Sequence, residues 1–320
     1  MGNKKKAISP YYVITLILLA AMAVFFLFPL YWIITGSVKE KSDIIIKSGE
    51  MVKWFPTTIT WDNYSRLFKS GTKLFGIGMP MAIRWLFNSV FISVVAMGLT
   101  CITSSLAGYA LAKKRFWGKS LIFGLFVCAM ALPKQVILIP LMRQMSAMGF
   151  LKSVWGSMFA VIFPVVGWPF GVFMMKQFSE NIPTSLLEAC RIDGAGELTT
   201  FVNVAFPIIK PGFGALAIFT FINSWNEYPL QLVMLTQNES KTIALGIASK
   251  LSEMSNDFGL IMAGAALASV PIIIVFLCFQ RYFTQGITMG AVKRLSVPET
   301  SRTFISGAAV RCKMIGCGLK

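Results

Sequence analysis

Residues 11–35 of this chain include no charged side chain, and that run restricts the possible folds more than any other feature. The hydrocarbon core of a bilayer takes about 20 apolar residues per helix. Inside it, every backbone N–H and C=O must be bonded within the segment or within a closed barrel. Uninterrupted apolar runs of this length therefore spell helices. Five more follow, at 85–112, about 120–141, about 153–175, about 206–235 and 258–279. The expected fold is an all-α polytopic membrane bundle of six transmembrane helices. Composition agrees: 13% of the 320 residues are charged, against about 25% in soluble domains. Lys4-Lys5-Lys6 before the first run, and Ala21-Met22-Ala23 within it, imitate a cleaved leader. The run outlasts the about 7–15 apolar residues of a leader, so it reads as an uncleaved first span.

Several functional classes drop out. The net charge of +17 could suggest nucleic acid, but no basic stripe with interleaved aromatics accompanies it. The basic residues gather in the gaps between apolar runs, where phospholipid head groups are the anionic neighbours. The chain has no His, which removes a Ser-His-Asp triad and a zinc-protease helix. Of six cysteines, only Cys312 and Cys317 are spaced like half a metal site, and no second pair completes it. Neither a metal nor a cofactor is expected. Gly118-Lys119-Ser120 looks like the end of a phosphate loop, but Lys113 stands where the first Gly is required. Any ATP chemistry must come from another chain, and no enzyme activity is expected of this one.

Basic residues in short loops set the orientation. The N-terminus, the 113–119 turn, the 176–210 loop and the C-terminus hold more than half of them. Both termini are therefore expected in the cytoplasm. The organisation expected is a cytoplasmic N-terminus (1–10), a transmembrane domain (11–294) and a disordered tail (295–320). Within the domain lie an ordered extracytoplasmic loop at about 36–80, carrying Trp54, Pro56, Trp61 and Tyr64, and a cytoplasmic loop at about 180–205.

That cytoplasmic loop is the most informative stretch. Four of the 13 acidic residues, Glu180, Glu188, Asp193 and Glu197, lie in or just before 188–207. Ser185 and Glu188 have capping-box spacing, and Pro183 suits a first turn. Leu186, Ala189 and Cys190 share one helix face, with Leu187 bordering it. Gly194-Ala195-Gly196 then permits a turn with positive φ. A helix lying on lipid favours Lys and Arg on its polar face. This one offers Glu188, Arg191 and Asp193, which suit a protein socket.

Polar groups also stand inside apolar runs. Asn223, Trp225, Asn226 and Glu227 lie in the fifth run, ahead of Pro229. A carboxylate at mid-membrane depth costs about 2.5–3.5 kcal/mol on insertion scales, so it faces a partner or a water-filled path. Amides, a carboxylate and an aromatic face together suit a sugar; the alternative is an interfacial aromatic belt with Glu227 at the head groups. Lys134, after Pro133 in the third run, either lines a path or snorkels to the outer interface, and snorkelling is the reading adopted. Small residues from Ala263 to Ser269 permit close helix contact in the last run.

Residues 188–207 resemble the EAA loop of ABC importer permeases. Glu188, Ala189, Gly194 and Pro207 match it; Cys190 stands for its second Ala, Val204 for Ile and Phe206 for Leu. Further likeness lies at Asn88-Ser89, at 105–110, at Pro133 with Ile139-Pro140, at 219–227 (FTFINSWNE) and at 279–293 (FQRYFTQGITMGAVK). These are similar to the carbohydrate branch of type I permeases, the MalG-like subunits. The tail from Leu295 matches nothing in that pattern.

The resemblance implies a permease subunit of an ATP-driven sugar uptake system in the bacterial cytoplasmic (inner) membrane. It implies a second, homologous permease as heterodimer partner, two ATPase subunits and an extracytoplasmic solute-binding protein. It places Glu188, Ala189, Cys190, Arg191, Asp193, Gly194 and Pro207 in ATPase coupling, with Glu188 paired to a basic group of the ATPase. An ion-coupled secondary transporter is the alternative, with Glu227 its best candidate for an ion site. A membrane-embedded enzyme would need a catalytic cluster in the spans, and none is visible.

Overall fold

A computed structural model describes residues 10–45, 51–69, 71–74, 76–253 and 257–291. The Lys4–Lys6 run, the Cys312–Cys317 pair and the tail from Leu295 lie outside the described residues. In chain order the helices are α1 (Pro10–Ser37), α2 (Lys41–Ile44), α3 (Asp62–Phe68), α4 (Met81–Lys113), α5 (Lys119–Met130), α6 (Lys134–Ala147) and α7 (Val154–Val166). There follow α8 (Pro169–Glu180), α9 (Thr184–Ile192), α10 (Glu197–Thr200), α11 (Phe206–Trp225), α12 (Tyr228–Met234), α13 (Ile243–Glu253) and α14 (Phe258–Ala291). One hairpin, β1 (Gly71–Leu74) and β2 (Ile77–Pro80), precedes α4.

Among the described residues, α1, α4, the 197–225 stretch and α14 are each long and apolar enough to cross a membrane. Two further spans exist only as bent pairs: α5 with α6 turns by 102°, and α7 with α8 by 42°. The count of six holds with each bent pair taken as one span. The boundaries differ from those expected. The fifth span starts at Glu197: α10 continues through a π-type turn (Phe201–Ala205) into α11. It then breaks at 226–227, well before residue 235, because Pro229 sits in the first turn of a new helix, α12.

The chain divides into two units. In the first (Met1–Arg84 with Ile243–Val270), the loop after α1 is ordered by its polar groups. The Asn63 amide donates to the carbonyls of Ser37 and Lys39, both at 2.9 Å. Asp43 accepts from Lys53 at 2.6 Å and from the Thr57 amide at 3.0 Å. These bonds hold its carboxyl below the ordinary carboxylate range, Lys53 contributing most. Gly264 lets α14 approach α13, since a Cβ there would lie 2.6 Å from Ile247.

In the second unit (Trp85–Thr242 with Pro271–Lys320), α4, α8 and α11 form the core. Over half of the most apolar stretch of the 197–225 span is buried, 56%. Cys101, Tyr109, Met175, Ile209 and Leu216 pack there. Burial pushes the Cys101 side chain into the role of a small hydrophobe. Trp85 Nε1 donates to the Asn238 carbonyl at 2.9 Å, and Asn88 Nδ2 donates to those of Glu239 and Lys241, both at 2.8 Å. The start of α4 thereby pins the loop that follows α12.

Gly108 marks the tightest crossing of α4 on α8. A Cβ there would stand 2.6 Å from the Lys176 nitrogen and 2.7 Å from the Met175 carbonyl carbon, both backbone atoms. Gly98 on the same helix has nothing within 4 Å. Gly108→Leu is therefore expected to abolish most monodisperse protein on size exclusion in detergent, while Gly98→Leu leaves the yield near wild type. Equal yields for both would contradict the packing.

Candidate functional site

Three helix breaks meet at one cleft. Trp168 sits at the α7–α8 break, Asn226 and Glu227 at the α11–α12 break, and Lys134 just after the α5–α6 bend. The cleft, of about 490 Å³, is lined by Trp168, Phe170, Phe219, Asn223, Asn226 and Glu227. Lys134 Nζ lies 3.5 Å from Glu227 Oε2 and 3.3 Å from Asn223 Oδ1, with the Trp168 ring centroid at 5.8 Å. Phe170 meets Phe219 edge-on at 5.9 Å.

Proline and the polar neighbours explain why the chain can break here. Pro169 has no N–H for the carbonyl four residues back, that of Val165. Thr100 Oγ1 donates at 3.1 Å to the Val165 carbonyl, which also accepts from the Trp168 amide at 3.1 Å. Thr103 Oγ1 lies 3.1 Å from the Val166 carbonyl and 2.9 Å from that of Leu99, which share its single proton. At the second break, the buried Gln231 side chain donates to the Ser224 carbonyl at 3.0 Å and accepts from Thr242 at 2.5 Å. Freed carbonyls are thus met by side chains of the same unit, as a membrane interior demands.

The loop between α8 and α11 forms the other end of this unit. In α9, Leu187 and Cys190 are buried and Glu188, Ala189 and Arg191 exposed. Cys190 packs on Val204 with Leu186, Ala195 and Ile208 around it. Gly194 has φ +75, and the Ala195 amide donates to the Cys190 carbonyl at 2.9 Å. Glu197 joins Lys114, at the end of α4, and also Arg191 at 3.4 Å. Lys113 Nζ donates to the Glu180 carbonyl at 3.0 Å. The helices α5 and α8, 12 residues each, carry the chain from this end to the cleft over about 18 Å at 1.5 Å per residue. That is a little over half of an about 30 Å hydrocarbon core.

With this geometry in view, the comparisons with known proteins are specific. Residues 104–289 match the family of binding-protein-dependent transport system inner membrane components. The chain is 34% identical over 272 residues to the arabinooligosaccharides transport system permease protein AraQ of Bacillus subtilis, covering 85% of this chain and 92% of that one. It belongs to that family. It is 31% identical to the lactose transport system permease protein LacG of Rhizobium radiobacter, over 83% of this chain and 91% of that one. The crystal structure of a bacterial ABC transporter involved in the import of the acidic polysaccharide alginate contains a chain of the same fold. Its TM-score is 0.69 at 22% identity, covering 87% of this chain and all of that one.

The chain is thus a multi-pass inner-membrane permease of an ABC importer, with the type I membrane-domain fold, and not itself an enzyme. Membership implies an ATPase and a solute-binding protein as partners.

The permease loop differs in detail from expectation. Helix α9 begins at Thr184 with Pro183 at its cap position and no side-chain cap bond, so Ser185 and Glu188 form no capping box. Leu187 is central to the buried face instead of bordering it, and Ala189 is outside it. Asp193 is exposed at the C-cap, and Pro207 lies in the first turn of α11. At the cleft, Asn223, Asn226 and Glu227 come together, whereas Trp225 is buried and stacked on Phe221 at 5.6 Å. Trp168, Phe170 and Phe219 supply the aromatic faces, and none of them was singled out as a site residue from sequence. Lys134 is held by Glu227 and Asn223, which replaces the snorkelling expected of it.

Gly194 carries the turn after α9, and Gly196, at φ −66, does not need glycine. Gly194→Val should cost about 1–2 kcal/mol, the usual penalty of a left-handed L-residue, and lower the Tm of the purified permease. Gly196→Ala should change it little. The reverse order would contradict the turn assignment.

Proposed function

We propose that this chain is the permease subunit of an ATP-driven sugar importer, supplying one wall of the sugar path and transmitting ATPase closure through α9. The observation that carries the reading is the convergence of three broken helices on a cleft with amides, a carboxylate and aromatic faces. That chemistry suits pyranose rings: hydroxyls bond to Asn and Glu, and apolar ring faces stack on Trp and Phe. The named substrates of AraQ and LacG, arabinooligosaccharides and lactose, support a saccharide cargo.

In this reading the second wall belongs to a homologous permease, forming a heterodimer over two ATPase subunits. Both termini face the cytoplasm, and the domain extends over 11–294. The exposed Glu188, Ala189, Arg191 and Asp193 are the surface offered to the ATPase, with Glu188 paired to a basic group there. Cys190, Gly194 and Pro207 hold that surface in place from behind. Binding ATP closes the ATPase pair, α9 moves with it, and the rigid helices α5, α8 and α11 carry the displacement to the cleft. Rigid-body rotation of this kind gives alternating access. Among the described residues, no cluster of deep carboxylates supports ion coupling.

Two variants test the reading separately in cells carrying the whole importer. Glu188→Ala should insert normally but lose most ATPase co-purification and uptake; an intact complex with normal stimulated ATP turnover would sink the docking assignment. Removing one hydrogen-bonding partner of a binding site costs about 1–3 kcal/mol. Asn226→Ala should therefore reduce uptake of radiolabelled arabinotriose or lactose about tenfold, with assembly and basal ATP hydrolysis retained. Unchanged uptake in Asn226→Ala would remove the cleft from the path. A wild-type importer that moves neither sugar would count against the saccharide assignment.

A further inference from the structure

Glu227 is the one charged residue among those lining the cleft, and Lys134 Nζ stands 3.5 Å from its carboxylate. We infer that this pair is a charge-selecting element: it makes this chain's wall of the path electroneutral and so fits it to uncharged oligosaccharides, against sugars bearing carboxylates. The inference rests on the reading of the cleft as the sugar path.

The side-chain arrangement carries it. A uronate entering a partly desolvated cleft must exchange its hydration for a cation with free donors. Lys134 is the only candidate near this cleft among the described residues, and three electron-rich groups already face it: the Glu227 carboxylate, Asn223 Oδ1 and the Trp168 ring. Glu227 has 16% of its side chain exposed and Lys134 52%, so an incoming carboxylate meets a cation whose charge is already countered. Removing Lys134 from its pair would leave Glu227 without a counter-charge, at the cost of breaking a half-buried ion pair. A neutral sugar has no such conflict. Its hydroxyls can donate to Glu227 and bond to the exposed Asn226 amide while Phe170 and Phe219 cover its ring. Selection against the wrong charge lies in what the wall withholds: it offers a carboxylate no unpaired cation to replace its hydration.

The test reads the potential of the cleft directly, without reference to the cargo. In the full importer, native cysteines are replaced by Ser, and Ile222, which also lines the cleft, is changed to Cys. Its modification rates by a cationic trimethylammonium-ethyl and an anionic sulfonatoethyl methanethiosulfonate are compared with those of a small thiol in solution. With the pair intact, the ratio of the two rates should stay within about threefold of the solution ratio, since opposite charges 3.5 Å apart nearly cancel at a distance. Glu227→Gln should favour the anionic reagent by about tenfold, Lys134→Met the cationic one by a similar factor. The double variant should return the ratio to the starting value. The wild-type importer should also take up no radiolabelled digalacturonate.

A ratio skewed tenfold with the pair intact, indifference to both substitutions, a Cys closed to both reagents, or uptake of digalacturonate would each overturn the inference. Impaired uptake in Asn226→Ala together with rates indifferent to charge would remove this inference alone. Normal uptake in Asn226→Ala would remove the sugar-path reading, and this inference with it, even if the rates shift as expected.

Discussion

A helix cannot stop inside a membrane without finding partners for the carbonyls it frees. That constraint organises the second unit of this permease. Pro169 takes one donor away from the Val165 carbonyl, which the Thr100 hydroxyl and the Trp168 amide meet instead. The α11–α12 break would orphan Ser224, and Gln231 meets it, held in turn by Thr242. Polar residues of α4 and α12 thus help to satisfy both breaks. The breaks, in turn, create the cleft, because non-helical backbone at membrane depth is tolerated where it lines a cavity.

Close packing supplies the second condition. A break transmits movement only if the helices on either side behave as rods. Gly108 brings the backbone of α4 against that of α8, Gly171 sets α8 against Ser104, and Gly212 meets the ring of Phe178. In each case a side chain on the glycine would force the helices apart. The small residues thus trade conformational entropy for contact, in a solvent where apolar burial alone drives helix association weakly. Around them, Phe201 and Tyr109 lie 5.2 Å apart and fill the space beside the loop.

How much of this was legible in the chain follows from the range of each signal. Hydropathy found the six apolar runs, because the requirement for such a run is local, but not the shape of each: two are bent pairs, and the fifth starts at Glu197 and breaks at 226–227. Gly194 was legible as a positive-φ turn for the same reason, whereas proline alone did not mark the breaks: Pro169 and Pro229 stand at them, but Pro164 and Pro211 lie inside helices. The pairing of Lys134 with Glu227 was not legible: it joins residues from separate helices, and a lone Lys beside a proline reads equally well as snorkelling. Nor were Thr100, Thr103 and Gln231, since a hydroxyl or amide in a span gives no sign of which carbonyl it will serve. The capping box at Ser185 failed because Pro183 already fixes the chain entering α9, and Leu187 turned inward because the helix starts at Thr184. Trp225 was read as a path residue from its neighbours in sequence. One helical step rotates it about 100° away from Asn226, into the contact with Phe221.

The same geometry links the two ends of the unit. The polar loop around α9 and the cleft are joined by α5, α8 and α11, each unbroken between them apart from the π-type turn at the loop end of α11. A π-type turn closes its hydrogen bonds over one more residue than the α-helix on either side. It lies where Cys190 of α9 packs against Val204, so the irregular turn of the fifth span stands beside the loop and the regular helix runs toward the cleft. Glu197 restrains that turn from outside, through Lys114 and Arg191. These exposed ion pairs are each worth less than about 1 kcal/mol, so packing of Cys190 on Val204 holds the loop to the fifth span more than charge does. On the proposed coupling through α9, a displacement entering at this loop has α5, α8 and α11 as its routes to the cleft.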